Sequence, residues 1–554
     1  MVQRYPDTWH QAPIVESALP PRPELPERLG TLALQEPRRL GDLLRARVQG
    51  DPRSIALQIP GQGAWSWERL AGEVASIQSG LRRIGVEPGD RVAIMCENSF
   101  RMAASLCGIV GLGAVAVPVN TSLVSSGLEH VLRDSGASAL IGDAAYLSRY
   151  ESLPTKPLGD RPRICVDDGG PGESWSKFLG GEDDLVSEGK PSDPAMILYT
   201  SGTTGRAKGV VLSHTCCLTA TAASANELFE AASDDVLYTC LPLYHCAAQR
   251  LGFWTSVYSG AQLVLATRFS ASQFWPEIRT FGVTKFHFIG PMISVLWQAP
   301  PTGADRDHRA WLAVGGGPRT VYREFEERFG VTFVETYGMT ESFGGCVGHR
   351  PNEGRAGTVG KALAHVEIAI SPVDELAAGR EQGKGEIVIR PKFPNAIFSG
   401  YHNRPDLTDA AFSGGWFKTG DLGAIDKDGY LTFYSRIRDI IRRRGENISA
   451  VEVEDTIAQH PSVGESAVVG VPAEVGEEEI LAVIVPRAAN VDLPALVAYL
   501  QEQLPRFAVP RFFAISDRLP KTATGRVKRH ELAEFLSGAV DMHPPVARHD
   551  KHRR

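Results

Sequence analysis

Stretches with helical periodicity alternate with short apolar runs along most of the chain. The stretch SWERLAGEVASIQSGLRRIG spaces its apolar residues as an amphipathic helix does, whereas RVAIM, AVAVPV and AQLVLA are short apolar runs. This alternation is typical of α/β layers with largely parallel sheets. Past Tyr401 the strand-like runs GYLTFY, ESAVVGV and ILAVIV follow, with the helical stretch AVEVEDTIAQH between the first two. The pattern predicts an α/β protein with a large N-terminal domain of layered α/β subdomains and a small α+β C-terminal domain.

The segments between these runs indicate the domain boundaries. Six prolines within the first thirty or so residues disfavour both helix and central strand, so residues 1–35 are predicted to form an extended arm. The Arg-rich run SRIRDIIRRRGEN, from Ser435 to Asn447, suits an exposed linker. We therefore expect a large domain over residues 36–437 and a small domain over residues 438–540. The polar residues 541–554 are expected to form a disordered tail.

Composition and charge exclude several classes of protein. With 554 residues, 43% of them apolar, the chain can bury large cores, and a net charge of −7 provides no basic field for nucleic acid or an anionic membrane. The eight cysteines form no C-x-x-C pair, so neither zinc nor a disulfide framework is expected. The first residues lack the apolar core of a signal peptide, which favours a cytoplasmic location. Glycines interrupt the uncharged stretch from Met102 to Val119, which predicts a helix running into a buried strand and no membrane span.

The segment YTSGTTGRAKGV, from Tyr199 to Val210, combines hydroxyl groups, glycines and one lysine directly after an apolar run. Glycines let backbone N–H groups turn around an anion, hydroxyls add donors, and a lysine adds positive charge, so the segment suits phosphate binding. It is not a Walker A loop, because Gly202 and Gly205 are three residues apart and Lys208 is followed by Gly209. The alternative interpretation is a flexible Ser/Thr/Gly loop.

Two further segments carry residue types that suit a nucleotide site. In TYGMTES, Tyr337 suits stacking on a base, Thr340 suits a phosphate oxygen, and Glu341 suits a Mg²⁺ ion that bridges phosphates. In GWFKTGDL, Asp421 suits the two hydroxyls of a ribose. Taken singly, TYGMTES is more typical of a surface turn with a capping Thr or Ser, and Gly420-Asp421 is equally compatible with an ordinary turn.

The order of the motifs along one chain resembles the adenylate-forming superfamily, in its acyl-CoA synthetase branch, which shares ancestry with luciferases and peptide-synthetase adenylation domains. The motifs are YTSGTTGRAKGV, TYGMTES, GWFKTGDL, SRIRDIIRRRGENI and LPKTATGRVKR, and the similarity runs from about Leu40 to about Leu536. The resemblance implies a two-step reaction. A carboxylate attacks the α-phosphate of ATP to give acyl-AMP and pyrophosphate, and the thiol of coenzyme A then displaces AMP to give a thioester. It also implies that the small domain rotates about a hinge between the steps.

The resemblance also implies a role for each matching residue. The loop over the phosphates is formed by Thr200, Ser201, Gly202, Thr203, Thr204, Gly205 and Lys208. The nucleotide site is completed by Gly316, Gly317, Pro318, Tyr337, Gly338 and Thr340, and the ribose is bound by Asp421 and Arg436. Glu341 holds Mg²⁺, and His245 lies beside the acyl carboxylate, unless it is a core histidine satisfied by backbone groups. Arg438 is the hinge residue, where the family more often has Asp or Lys, and Gly445 leaves room for the pantetheine arm of coenzyme A.

Two positions depart from the family pattern. Ala207 stands where a proline commonly precedes the loop lysine, which makes the loop more flexible. Arg526 stands where the family has the adenylation lysine, directly after Thr-Gly. That lysine stabilises charge as the α-phosphate is attacked, and a planar guanidinium does not reproduce the shape of an ammonium group. In this respect the chain resembles ligases of natural product biosynthesis that perform only thioester formation.

The departure at Arg526 leads to alternative hypotheses about function. In the first, the chain accepts an acyl-adenylate made by a separate adenylating enzyme and transfers the acyl group to coenzyme A. In the second, Arg526 is tolerated, or Lys521 or Lys528 replaces the lysine, and the chain is an ordinary two-step, ATP-dependent synthetase. A carrier protein as acceptor and a non-catalytic adenylate-binding protein are further alternatives. The predicted acyl pocket is mostly apolar, which favours a hydrophobic carboxylic acid. Its walls are His245, Trp254, Phe288, Ile289 and Gly290.

Overall fold

The computed structural model describes residues 38–167, 169–181, 184–200, 206–316, 322–372, 383–437, 440–443, 446–472, 478–488, 491–522, 525 and 527–542. The predicted N-terminal arm therefore lies outside the described residues, as does the predicted tail beyond Met542. The chain folds into two compact units. Unit 1 comprises Met1–Ile368, Ile389–Lys418 and Gly429–Leu431, and unit 2 comprises Ala369–Val388, Thr419–Asp428 and Thr432–Arg554. The boundaries predicted from the sequence remain predictions.

Helices and strands alternate as the hydrophobic pattern predicts. The helices are α1 (Leu40–Gly50), α2 (Trp67–Arg83), α3 (Phe100–Gly111), α4 (Ser125–Ser135), α5 (Ala144–Glu151), α6 (Trp175–Phe178), α7 (His214–Ala223), α8 (Cys246–Ala248), α9 (Thr255–Ser259), α10 (Ala271–Thr280), α11 (Gly290–Gln298), α12 (Tyr322–Phe329), α13 (Pro405–Ala411), α14 (Ala450–Ala458), α15 (Leu493–Gln503) and α16 (Arg529–Leu532). Two π-helical segments, Ser224–Leu228 and Gln249–Trp254, follow α7 and α8. Short 3₁₀ turns cover Thr340–Ser342 and Ala533–Gly538.

The strands are β1 (Ile55–Ile59), β2 (Gly63–Ser66), β3 (Arg91–Met95), β4 (Val115–Pro118), β5 (Ala139–Gly142), β6 (Arg163–Cys165), β7 (Glu173–Ser174), β8 (Pro194–Thr200), β9 (Lys208–Ser213), β10 (Val236–Thr239), β11 (Gln262–Leu265), β12 (Lys285–Ile289), β13 (Leu312–Gly316), β14 (Thr332–Met339), β15 (Gly344–Gly348), β16 (Lys361–Ala362), β17 (Val366–Ser371), β18 (Gly385–Pro391), β19 (Gly400–Tyr401), β20 (Phe412–Ser413), β21 (Trp416–Ile425), β22 (Leu431–Arg436), β23 (Ile440–Arg443), β24 (Glu446–Ser449), β25 (Val463–Pro472), β26 (Glu478–Pro486), β27 (Phe512–Ile515) and β28 (Val540–Asp541).

Unit 1 contains two large sheets whose central strands are parallel. One has nine strands in the order β16-β15-β14-β13-β12-β10-β11-β1-β2, and the other has eight in the order β19-β9-β8-β4-β3-β5-β6-β7. Strands β10 to β14 pair in parallel, whereas β8 with β9 and β14 with β15 form antiparallel pairs. The predicted layered α/β fold with largely parallel sheets is confirmed. The phosphate-loop motif begins with the last two residues of β8, and Gly316 ends β13, so both lie at carboxyl ends of strands, where ligands bind in open α/β sheets.

The uncharged stretch from Met102 to Val119 forms most of helix α3 and strand β4. All residues of both elements except Arg101 are buried, because the helix packs inside unit 1 and the strand lies between β3 and β8. The predicted helix followed by a buried strand is confirmed. Among the described residues, no helix combines the length and hydropathy needed to cross a membrane.

Unit 2 contains a four-stranded sheet in the order β25-β26-β27-β28, with α14 and α15 beside it, and the hairpin of β23 with β24. Ile441 and Ile448 of the hairpin are buried in the core of this unit. Arg443 is 5% exposed, its Nε lies 2.6 Å from the Glu479 carboxylate, and its Nη1 donates to two backbone carbonyls. The prediction that the run from Ser435 to Asn447 is an exposed linker is therefore wrong at Ile441 and Arg443. Arg443 is buried because a distant carboxylate balances its charge.

The remaining sheet has five strands, in the order β17-β18-β21-β20, with β22 paired to β21. It carries the GWFKTGDL motif within β21. All eight cysteines of the protein are buried and free.

Candidate functional site

The phosphate-loop motif connects β8 and β9 as the two arms of a hairpin. Thr200 and Lys208 are paired across the hairpin, and the residues between them from Ser201 to Gly205, which include Gly202, Thr203 and Thr204, lie outside the described residues. At the base of the loop, the carbonyl of Ala207 lies 2.8 Å from Nε2 of His130. The Lys208 ammonium lies 4.6 Å from the ring centroid of Tyr401, within cation–π range. The lysine is therefore positioned by an aromatic ring from another strand.

Glu341 contacts the same tyrosine. Its Oε1 accepts a hydrogen bond of 2.8 Å from the Tyr401 hydroxyl, and its carbonyl accepts from the amide of Phe398. Glu341 lies in a 3₁₀ turn that Ser342 closes by accepting from the amide of Met339. Tyr401 is not among the site residues predicted from the sequence. Its position beside a glycine at the end of a short strand provides no local signal, and its role follows only from contacts with distant residues.

Thr340 and the loop that carries His245 meet on the other side of this turn. Thr340 Oγ1 lies 3.7 Å from Sγ of Cys246, the residue that follows His245. His245 is the N-cap residue of α8, its ring contacts the ring of Tyr244, and its carbonyl accepts from the amide of Gln249. Two sets of predicted site residues are thus linked, Lys208 with Glu341 through Tyr401, and Thr340 with Cys246, the residue next to His245.

The predicted nucleotide-site residues from Gly316 to Gly338 lie on adjacent strands. Gly316 ends β13, and Tyr337 and Gly338 lie in β14, where Tyr337 is 8% exposed. Gly317 and Pro318 lie outside the described residues. A Cβ at Gly338 would lie 1.9 Å from the carbonyl oxygen of Gly344 on β15. Close backbone packing therefore explains the glycine at position 338, in addition to any contact with a nucleotide.

The substitution Gly338→Ala is expected to lower the free energy of unfolding by about 1–3 kcal/mol, because the added methyl group overpacks the β14–β15 contact. Gly72→Ala is the matched control, since Gly72 lies on the exposed side of α2 with open space around it. That change is expected to raise the free energy of unfolding by about 0.5–1 kcal/mol. Urea denaturation measures both, and equal effects of the two substitutions would contradict the packing argument.

The predicted acyl-pocket residues lie at the ends of β12 and of the second π-helical segment. Trp254 and Phe288 are fully buried, and Phe288 contacts the rings of Tyr322 and Phe333. Ile289 ends β12 and Gly290 begins α11. These side chains are mostly apolar, and two of them are integral parts of the core of unit 1.

In unit 2, the two predicted ribose residues form an ion pair. Arg436 Nε lies 2.8 Å from Oδ1 of Asp421, whose side chain is 2% exposed, and Arg436 Nη1 donates to the carbonyl of Thr419. The Thr419 hydroxyl accepts from the amide of Asp421 and donates to the carbonyl of Ile387. This network fixes the carboxylate, because both its backbone and its charge have partners. The predicted hinge residue Arg438 and the predicted CoA-contacting Gly445 lie outside the described residues.

Arg526 also lies outside the described residues, but the chain on both sides of it is described. Lys521 pairs with Val527 as an isolated β-bridge, and its ammonium lies 2.5 Å from the Glu465 carboxylate. The Lys528 ammonium lies 2.8 Å from Glu531. Both lysines that could replace the missing adenylation lysine therefore form ion pairs within unit 2.

Comparison with known proteins defines the class. The family described as AMP-binding enzyme matches residues 44–402, and the AMP-binding enzyme C-terminal domain matches residues 452–526. A long-chain-fatty-acid–CoA ligase of Mycobacterium tuberculosis is 30% identical over 521 residues, covering 90% of this chain and 99% of the relative. A crotonobetaine/carnitine–CoA ligase of Escherichia coli is 30% identical over 488 residues, 84% of this chain and 93% of the relative. The solved structure of the anthranilate CoA ligase AuaEII with anthranoyl-AMP matches with a TM-score of 0.83 and 25% identity, covering 91% of this chain and 99% of that one.

The chain therefore belongs to the AMP-binding enzyme family and, with it, to the adenylate-forming superfamily. Within that superfamily it is an acid–thiol ligase of the acyl-CoA ligase branch, as the sequence motifs predict.

Proposed function

We propose that this chain transfers the acyl group of an acyl-adenylate to coenzyme A, and that it forms the adenylate from ATP slowly or not at all. The observation that carries the proposal is Arg526, which stands at the position of the family's adenylation lysine in LPKTATGRVKR. Arginine keeps the positive charge, but its planar guanidinium is broader than an ammonium group and reaches a phosphate differently. The loss of one well-placed donor to a transition state costs about 10²–10³-fold in rate. In the family, the small domain rotates before thioester formation and carries this position away from the reacting atoms. The thioester step of this chain is therefore proposed not to depend on Arg526.

The ion pairs of Lys521 and Lys528 support this proposal over replacement by a neighbouring lysine. Each of these side chains already contacts a carboxylate of its own unit. Ion pairs this accessible to solvent contribute about 0–1 kcal/mol, so they favour the paired side-chain positions of the two lysines only weakly. The acyl-adenylate is then supplied by a separate adenylating enzyme.

The ordinary two-step synthetase is a second candidate, and a specific observation favours it. Lys208, Tyr401 and Glu341 form a connected set, and a positive charge beside a carboxylate suits the handling of phosphates with a metal ion. Among the described residues, Tyr401 is the one hydrogen-bond partner of the Glu341 carboxylate, at Oε1, so the other oxygen is proposed to bind Mg²⁺. Because Mg²⁺ in such sites is bound by one or two carboxylates, water and substrate phosphates, this single carboxylate fits the ion. When bound, Mg²⁺ would neutralise phosphate charge.

The remaining roles follow the family pattern. Asp421, held by Arg436, accepts from the ribose hydroxyls, and the loop from Thr200 to Lys208 lies over the phosphates. His245 lies beside the acyl carboxylate, and Gly445 leaves room for the pantetheine arm. The acid has an apolar body, because the proposed pocket residues Trp254, Phe288, Ile289 and Gly290 offer mostly apolar groups.

A paired assay on one preparation tests the proposal. One arm measures pyrophosphate release from ATP with a panel of apolar carboxylic acids, and the other measures AMP release from matching synthetic acyl-adenylates on addition of coenzyme A. Turnover in the second arm alone is the expected result. Comparable rates in both arms would identify an ordinary two-step synthetase. Saturable adenylate binding without turnover in either arm would identify a non-catalytic binding protein.

Tyr401→Phe is expected to weaken Mg²⁺-dependent ATP binding about tenfold, because a hydrogen bond to a charged group contributes about 1.5–3 kcal/mol, partly replaced by water. The phenylalanine ring keeps the contact with Lys208, so ATP binding without Mg²⁺ should change little. Calorimetric titration with and without Mg²⁺ measures the difference. Tyr430→Phe is the control, because the Tyr430 hydroxyl lies 3.5 Å from a backbone carbonyl, that of Glu353. A loss that is equal with and without Mg²⁺ would contradict the positioning of Glu341.

A further inference from the structure

Arg250 is fully buried in unit 1 without a carboxylate partner among the described residues. Its Nε donates to Ser224 Oγ at 2.5 Å and its Nη1 to the carbonyl of Phe343 at 3.5 Å, while Nη2 has no hydrogen-bond partner within the described part of the chain. Burial lowers the pKa of Arg250 to about 10, so the side chain still carries its charge at neutral pH. A buried charge without a counterion raises the free energy of the folded state, so this arrangement would be stabilised by an anion that contacts the guanidinium.

The described groups whose charge acts on Arg250 are the thiols of Cys346, Cys216 and Cys246 and one carboxylate, that of Glu227. Burial raises the pKa of the Cys216 thiol to about 12, so this neighbour of Arg250 is neutral. Glu227 is the acidic residue whose charge acts on Arg250, but its two oxygens are used by Arg350 and by the amide of Ala364. His365 is buried with both ring nitrogens unpartnered among the described residues, and burial together with the Arg250 charge keeps its pKa well below the usual value.

Arg250 lies shortly after His245 in the chain and contacts the segment that follows Thr340. Cys246, next to His245, contacts Thr340, and four residues further on Arg250 contacts Phe343. Four helical residues correspond to a rise of about 6 Å, so Arg250 lies about one turn beyond Cys246 along its own helical segment. A Cβ at Gly344 would lie 3.3 Å from Cδ of Arg250, which shows how closely the arginine follows this segment.

The backbone around Arg250 is irregular in a way that is common at functional sites. Arg250 and Ser224, which accepts from it, belong to the two π-helical segments Gln249–Trp254 and Ser224–Leu228, and these segments contact each other. Phe343, whose carbonyl faces Arg250, has a φ of 51°, a conformation rare for a residue with a bulky side chain. The packing of unit 1 thus maintains two unusual backbone conformations, the π-helical turns and the positive φ of Phe343. Each of them brings a polar group into contact with the Arg250 guanidinium.

We propose that Arg250 binds an anionic group at the far end of the acyl chain, so that the acid has an apolar body and a second carboxylate or a comparable anion. This proposal rests on the proposed function, since it places the acyl group along the segment that begins at His245. The anion would accept from Nη2 and balance the buried charge. Neutral His365 provides a further ring nitrogen for a hydrogen bond.

Binding of stable adenylate analogues tests this proposal without requiring turnover. Acyl-sulfamoyl-adenosines of equal chain length, ending in a methyl group, a carboxylate or an ammonium group, are titrated into the unmodified protein by calorimetry. The carboxylate analogue of the best length is expected to bind at least about tenfold more tightly than the methyl analogue, which is the effect of one charge-assisted hydrogen bond. The ammonium analogue is expected to bind most weakly.

Arg250→Met should remove this preference, and Arg250→Lys should retain part of it. Arg323→Met is the control, because Arg323 has a side chain that is 87% exposed. If Arg250→Met does not fold, the comparison of analogues on the unmodified protein still decides. Equal or tighter binding of the methyl analogue at every length would overturn this proposal alone. Failure of all analogues to bind would overturn the proposed function and, with it, this inference.

Discussion

Arg526→Lys is expected to raise the rate of pyrophosphate release from ATP about 10²–10³-fold and to leave CoA-dependent AMP release from acyl-adenylates within about twofold. Lysine at this position would restore a compact ammonium group that can stabilise the charge developing on the α-phosphate. Both rates are measured with the paired assay, on the same acid and its adenylate. A selective gain in the first arm would show that this position alone limits adenylation.

The matched control is Arg518→Lys, the same change at an exposed position of the C-terminal region. It should alter neither arm. Lys521→Ala and Lys528→Ala complete the set, because a protein that adenylates through one of these lysines would lose pyrophosphate release in the corresponding variant. An unmodified protein that already releases pyrophosphate rapidly, with no gain in Arg526→Lys, would contradict the thioesterification hypothesis and identify Arg526 as a tolerated substitution.

The fold was predictable from the sequence because parallel strands buried on both faces leave a continuous apolar signal. RVAIM corresponds residue for residue to β3, and the stretch beginning SWERL corresponds to α2 with Ser66 as its N-cap. The order of the motifs likewise predicted the superfamily, since five motifs in a fixed order are highly specific where each motif alone is not. These are properties of local sequence or of sequence order.

Features that depend on distant partners were not predictable in the same way. Arg443 lies in an Arg-rich run typical of an exposed segment, and its burial depends on Glu479 and on two distant backbone carbonyls. Tyr401 contacts Lys208 and Glu341, which are far from it in sequence. Arg250 interrupts an apolar stretch, and its lack of a carboxylate partner within the described ranges is visible only in the folded structure. In each case the feature depends on contacts between residues that are far apart in the sequence, and a local sequence pattern does not reveal such contacts.

Glu341→Gln is expected to reduce pyrophosphate release about 10²–10³-fold when it is introduced together with Arg526→Lys. The amide keeps the size of the side chain and can still accept from the Tyr401 hydroxyl through its carbonyl oxygen, but it removes the negative charge proposed to hold Mg²⁺. The double variant is required because the unmodified protein is proposed to have little adenylation to lose. Pyrophosphate release at saturating and limiting Mg²⁺ measures the effect.

The second arm of the assay separates loss of metal binding from loss of structure. CoA-dependent AMP release from a pre-formed adenylate involves no pyrophosphate, so Glu341→Gln should preserve it, whereas a misfolded protein would lose both arms. Glu68→Gln, on the exposed side of α2, provides the matched carboxylate-to-amide control. If Glu341→Gln left pyrophosphate release and its Mg²⁺ dependence unchanged, the proposed metal role would be wrong. The contact of Tyr401 with Lys208 and Glu341 would then serve only to join β9, β19 and the 3₁₀ turn.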